Sequence, residues 1–139
     1  MCLPNLQLDF KMKLLLSLLL LCSYLLATNV YVIASKPITT SKEELKNFFF
    51  ARSNYLNGKK YKRINNKEAV GLFANRAFSI SKRKLSKKWI KQNFRKGTPF
   101  PVSVRNNKKT IDWIQTHPDS IGFTTQKSDA VNIIYTYSE

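Results

Sequence analysis

The sequence predicts a single α/β domain. Short β-rich runs, "VYVIAS" at residues 30–35 and "SIGFTT" and "AVNIIYTY" near the C-terminus, bracket the body of the chain. Between them lie four stretches with helical apolar spacing and cap residues. The order is strand, helix, strand, three helices, strand, strand, which favours a layered α/β arrangement. Behind an N-terminal leader, roughly 110 residues remain, enough for one core and too few for two lobes.

"VYVIAS" closes at Lys36-Pro37. In "TTSKEELKNFFFARSNY", Ser41 is a favourable N-cap, and Glu43 and Glu44 occupy the first turn, where the helix dipole favours acids. Glu44 lies three residues after Ser41, the spacing of a capping box. Leu45, Phe48, Phe49 and Tyr55 supply the apolar side, Asn57-Gly58 marks a turn, and "KKYKRI" reads as a short strand. A second helix is expected over "NKEAVGLFANRAF", with Val70, Phe73, Ala74 and Ala77 inward and Glu68 as an acid in its own first turn. Gly71 weakens that helix by about 1 kcal/mol.

The third helix, "SISKRKLSKKWIKQNF", pairs Leu85 with Trp89 and Ile90 with Phe94, each four apart, and all four are expected in the core. "GTPFPVSV" reads as irregular, because its two prolines suit neither a helix nor a central strand. "NNKKTIDWIQTH" is the fourth helix, with Ile111, Trp113 and Ile114 toward the core, and Pro118 ends it.

In the leader, Lys11 and Lys13 form a positive n-region ahead of the apolar run Leu14 to Leu26. The expected division is a signal peptide over 1–27, with Met12 as an alternative start, and a domain over 28–139. Ala27 suits a cleavage site, and Ala34 is a second option. The alternative is an uncleaved N-terminal membrane anchor from Leu14 to Ala34. Both cysteines, Cys2 and Cys22, precede the body, which therefore holds no disulfide and no Cys-ligated metal. With a single histidine, a zinc site has no ligand set. No cofactor is expected.

The net charge is +16, from 24 Lys and Arg against 8 Asp and Glu. Such a surface concentrates anions. The densest stretch is Lys82, Arg83, Lys84, Lys87, Lys88, Lys91, Arg95 and Lys96, with no acid among them. It reads either as the solvated face of a helix or as a patch for anionic polymers or membrane.

"SKEELKNFFFAR", "LSKKWIKQNFRKG" and "THPDSIGF" resemble, in order and spacing, the small exported proteins related to phosphate ABC transporter substrate-binding proteins, of the type-2 periplasmic-binding-protein-like group. The likeness covers about Asn29 to Tyr135. It implies one lobe of such a protein, a mixed sheet of about four to five strands flanked by about four helices. It also implies an exported, non-enzymatic solute-binding-like domain, periplasmic or secreted. The implied partners are phosphate or another small anion and a membrane or transporter component, with nucleic acid a lesser expectation.

In the family, an arginine precedes a Gly-Ser-Gly-Thr turn at a helix start, where free backbone N–H groups hold phosphate. The matching stretch here is "KRINNKEAV", so the resemblance points to Arg63, Asn65, Asn66 and Lys67 as anion-binding candidates. The glycine-rich turn is replaced, and Glu68 places a negative charge beside the helix start. Phosphate binding is therefore expected to be weak or lost. His117, Asp119 and Ser120 are the residue types of a hydrolase triad, but across a Pro turn they read as a helix end and a strand start. No catalytic residue is assigned.

Overall fold

A computed structural model describes residues 10–19 and 28–138. Helix α1 runs over 10–19, and most of the expected leader lies outside the described residues. The body consists of β1 (Val30–Ala34), α2 (Lys42–Phe49), β2 (Tyr55–Leu56), β3 (Lys59–Lys60), β4 (Lys62–Asn66), α3 (Val70–Phe78), α4 (Lys82–Lys96), β5 (Val102–Val104), α5 (Asn107–Thr116), β6 (Ser120–Thr124) and β7 (Asn132–Tyr137).

Five strands form one mixed sheet in the order β5-β4-β6-β1-β7. β4 runs parallel to β5 and β6, while β1 is antiparallel to β6 and β7. All five residues of β1 are buried, as expected of a strand covered on both faces. Strand alternation divides them. Val30, Val32 and Ala34 join the larger core beneath α2, α3 and α4, and Tyr31 and Ile33 join a smaller one with Ile64 and Ile114 beneath α5. An anchor running to Ala34 is therefore ruled out, because its last five residues are the second-from-edge strand of the sheet. Among the described residues no helix is long and apolar enough to cross a membrane.

The larger core is aromatic. Phe73 stacks on Phe123 at 4.0 Å with rings 6° apart, and Phe49 meets Phe73 edge-on at 4.8 Å. Trp89 donates its Nε1–H to the Phe49 carbonyl at 2.7 Å, so burying the indole leaves no orphan donor. On the other face α5 approaches the sheet at Gly122. A Cβ there would lie 3.2 Å from Thr110 Cγ2 and 3.4 Å from Ile64 Cβ.

Several local expectations are corrected. Ser41 caps α2 by accepting from the Glu44 amide at 3.1 Å, but the Glu44 carboxylate does not close the box. It accepts from Asn57 N at 2.9 Å and Thr40 Oγ1 at 3.0 Å, tying α2 to the hairpin β2–β3. α2 ends at Phe49, so Tyr55 sits on β2 and is exposed. "KKYKRI" divides at Tyr61 into β3 and β4, and β4 continues to Asn66, so the next helix starts only at Val70. "GTPFPVSV" does supply a strand, the short edge strand β5, whose position explains why Pro101 is tolerated beside it. On α4, Leu85 and Trp89 are buried as expected, whereas Ile90 is 56% and Phe94 90% exposed.

Candidate functional site at the carboxyl edge of the sheet

The carboxyl ends of the three parallel strands β4, β5 and β6 lie at one edge of the sheet, where α3 and α5 begin. Open α/β sheets hold ligands at such edges, and helix N-termini hold anions. Here the edge is occupied by the chain's own polar groups. Asn66, at the end of β4 and 0% exposed, donates from Nδ2 to Asn107 Oδ1 at 2.8 Å and to the Phe123 carbonyl at 3.0 Å. Its Oδ1 accepts from the Glu68 amide at 3.1 Å. Asn107 Oδ1 also accepts from Thr124 Oγ1 at 3.0 Å and Thr125 N at 3.1 Å, and its Nδ2 donates to Thr125 Oγ1 at 2.9 Å.

Glu68 completes the arrangement. Its Oε2 accepts the backbone N–H of Asn107, the first residue of α5, at 2.9 Å. The expectation that Glu68 serves its own helix is corrected, since α3 has no acid in its first turn and no side-chain cap. The carboxylate instead closes the neighbouring helix, adding a fixed negative charge at a positive helix end.

The four anion-binding candidates do not converge. Arg63 and Asn65 lie on the α2–α4 face of β4, whereas Asn66 lies on the α5 face and Lys67 is exposed in the following turn. Asn66 has no donor left, because both of its Nδ2 hydrogens are used. Asn65 Oδ1 is buried without a partner among the described residues.

Arg63 is held near the other end of β4. It is 5% exposed, with its guanidinium 5.0 Å from the centre of the Phe48 ring. Nη2 donates to Asn54 Oδ1 at 2.5 Å and Nη1 to the Ser53 carbonyl at 3.4 Å, while Nε has no partner among the described residues. Burial lowers its pKa to about 10. Arg63 borders a cleft of about 300 Å³ formed with Asn54, Lys60, Tyr61, Pro99 and Phe100.

The His-Asp-Ser cluster has no catalytic geometry. The His117 ring stacks on Trp113 at 3.9 Å, and its Nδ1 lies 2.9 Å from both the Trp113 carbonyl oxygen and Thr116 Oγ1. Ser120 Oγ is buried with no partner among the described residues, and Asp119 points to solvent. No base therefore reaches the hydroxyl. Among the described residues no cluster of His, Cys, Asp and Glu could hold a metal ion.

The basic residues of α4 are exposed except Lys88, which is half-buried. The Lys88 Nζ is drawn over the Phe50 ring at 4.6 Å. Sequence spacing alone could not reveal the apolar side chains standing among them, Ile90 and Phe94.

A mixed sheet of this strand order, with helices on both faces, is similar to one domain of a periplasmic binding protein. The chain is similar in structure to an ABC-type phosphate transport receptor from Vibrio cholerae, at a TM-score of 0.57 and 13% sequence identity. The match covers 79% of this chain and 47% of that receptor, so the protein spans about half the receptor's length. No family model and no curated protein matches the sequence.

Proposed function

We propose that the protein is an exported, non-enzymatic domain of the solute-binding type in which phosphate capture at the carboxyl edge is weak or lost. The observation that carries this reading is the 2.9 Å contact from Glu68 Oε2 to the Asn107 amide. At the turn into α3, where the resemblance places the anion, the amides of Lys67 and Glu68 are already bonded to the Val104 carbonyl at 2.9 Å and to Asn66 Oδ1 at 3.1 Å, and an anion arriving at the start of α5 would meet a bound carboxylate. Calorimetry with inorganic phosphate tests the reading, and the expected result is no saturable heat at millimolar phosphate. Saturable binding that disappears in Asn66→Ala would overturn it. A leader cleaved near Ala27 leaves β1 whole, whereas cleavage after Ala34 would remove it from the sheet. N-terminal mass analysis of the exported protein distinguishes the two.

A second reading is favoured by one specific observation, the exposure of Ile90 and Phe94 among the bases of α4. On that reading Lys82–Lys96 is a working cationic surface for anionic partners. Heparin retention tests it. Retention that survives neutralising Lys84, Lys87, Lys88 and Lys91 would remove this patch as the cause.

A further inference from the structure

α4 is anchored on one side only. Leu85 and Trp89 are buried, and the Trp89 indole is bonded to the Phe49 carbonyl. At about 100° per residue, Arg83, Lys87, Ile90 and Phe94 fall on the side facing away from that anchor. Phe94 is 90% and Ile90 56% exposed, one turn apart, and Phe100 is 55% exposed just beyond the Gly97 cap. A ring this bare gains nothing from the fold and is expensive to leave in water. Beside the ridge, Ile80, Lys84, Lys87, Lys88 and Lys91 line a shallow depression of about 390 Å³ that contains no acid.

An apolar ridge next to a lysine-lined hollow is the two-part chemistry of an anionic bilayer surface, acyl chains below and phosphates above. A nucleic acid would use the bases and could stack on Phe94, but it offers nothing to the aliphatic Ile90. We infer that the outward face of α4 docks on anionic lipid, with Ile90 and Phe94 entering the headgroup–acyl boundary and Lys84, Lys87 and Lys91 holding headgroup phosphates. This rests on the second reading, that Lys82–Lys96 is a working cationic surface.

The test is co-sedimentation of the full chain with phosphatidylcholine vesicles, with and without phosphatidylglycerol. The variants are Ile90→Ser with Phe94→Ser, and Lys84→Gln with Lys87→Gln and Lys91→Gln. All of these side chains lie on the surface of α4, so the fold is retained, and the apolar helix α1 is common to every variant. Binding is expected to require phosphatidylglycerol. The serine pair should weaken it at least roughly tenfold, and the glutamine triple roughly a hundredfold, at about fivefold per lysine.

Wild-type binding by the serine pair, with loss in the glutamine triple, overturns insertion and leaves the cationic surface standing. No change in either variant overturns both. Tighter binding to duplex DNA than to anionic vesicles assigns the surface to nucleic acid and also overturns the inference. Phe94→Trp supplies a separate readout, since its added fluorescence should be quenched by brominated acyl chains. Absence of quenching in the vesicle-bound protein would refute entry of the ridge into the bilayer.

Discussion

Replacing Asn107 by alanine asks whether the carboxyl edge is held by its polar network or by apolar packing alone. The Asn107 side chain accepts from Asn66 Nδ2, Thr124 Oγ1 and Thr125 N at 2.8, 3.0 and 3.1 Å. Truncation removes that shared acceptor from all three. Asn66 Nδ2 keeps its bond to the Phe123 carbonyl, so its loss is partial. Thr124 is wholly buried and has no water to turn to. A buried donor left unpaired costs about 1–3 kcal/mol. Thr125 is half-buried, so water takes up part of its loss; summed over one full and two partial losses, the destabilisation is about 3 kcal/mol, a large share of the roughly 5–15 kcal/mol that holds a domain together. The Asn107 amide keeps its bond to Glu68, so the start of α5 stays capped. Urea unfolding followed by tryptophan fluorescence should show a lower midpoint with an unchanged slope. A double-mutant cycle with Asn66→Ala should give a coupling of at least about 1 kcal/mol. A loss below about 1 kcal/mol, or additive single mutants, would refute the claim that this network holds the edge.

Gly122→Ala places a methyl group 3.2 Å from Thr110 Cγ2, 3.4 Å from Ile64 Cβ and 3.5 Å from Ile114 Cδ1. It should lower stability by about 1–2 kcal/mol in thermal unfolding, and an unchanged midpoint would mean that α5 moves aside freely. Glu44→Ala removes the acceptor for Asn57 N and Thr40 Oγ1 and should cost about 1–2 kcal/mol, with the loss reported by faster proteolysis at the Asn57-Gly58 turn. Burial, with a smaller like-charge repulsion from Tyr135, raises the pKa of Tyr137 above the ordinary 10.0. The folded state therefore holds this proton longer than the unfolded chain does. The contribution is intact below pH 10 and falls away as pH rises above it. Tyr137→Phe should flatten that alkaline decline in the urea midpoint. Because the Tyr137 hydroxyl has no partner among the described residues, the same change should cost nothing at neutral pH.

The elements with strong local patterns were legible in the sequence. β1, β6 and β7, the helix cap at Ser41 and the Asn57-Gly58 turn each follow from neighbouring residues. β5 was not, because three residues between prolines and a polar turn leave no period to detect. Ile90 and Phe94 illustrate a different limit. Four-residue spacing proves that two side chains share a side of the helix, and says nothing of whether another element covers that side. The Leu85–Trp89 stripe found a partner in α2, through Phe49, and the adjacent stripe found none.

The anion site was obscured by one boundary. Reading a helix from Asn66 puts Arg63, Asn65, Asn66 and Lys67 around one helix start, where they could share a ligand. Extending β4 through Asn66 instead sends alternate residues to opposite faces and separates Arg63 from Asn66 across the sheet. Glu68 then passes from its own helix to one that begins 39 residues later, a partner no local pattern could supply. The chain is strongly basic, yet the start of α5 at this edge is served by one of its 8 acids. Had surface charge alone governed that edge, a lysine would attract ligand there as well as anywhere. The carboxylate makes sense if the interaction that matters at this edge is the internal one, between β4 and α5.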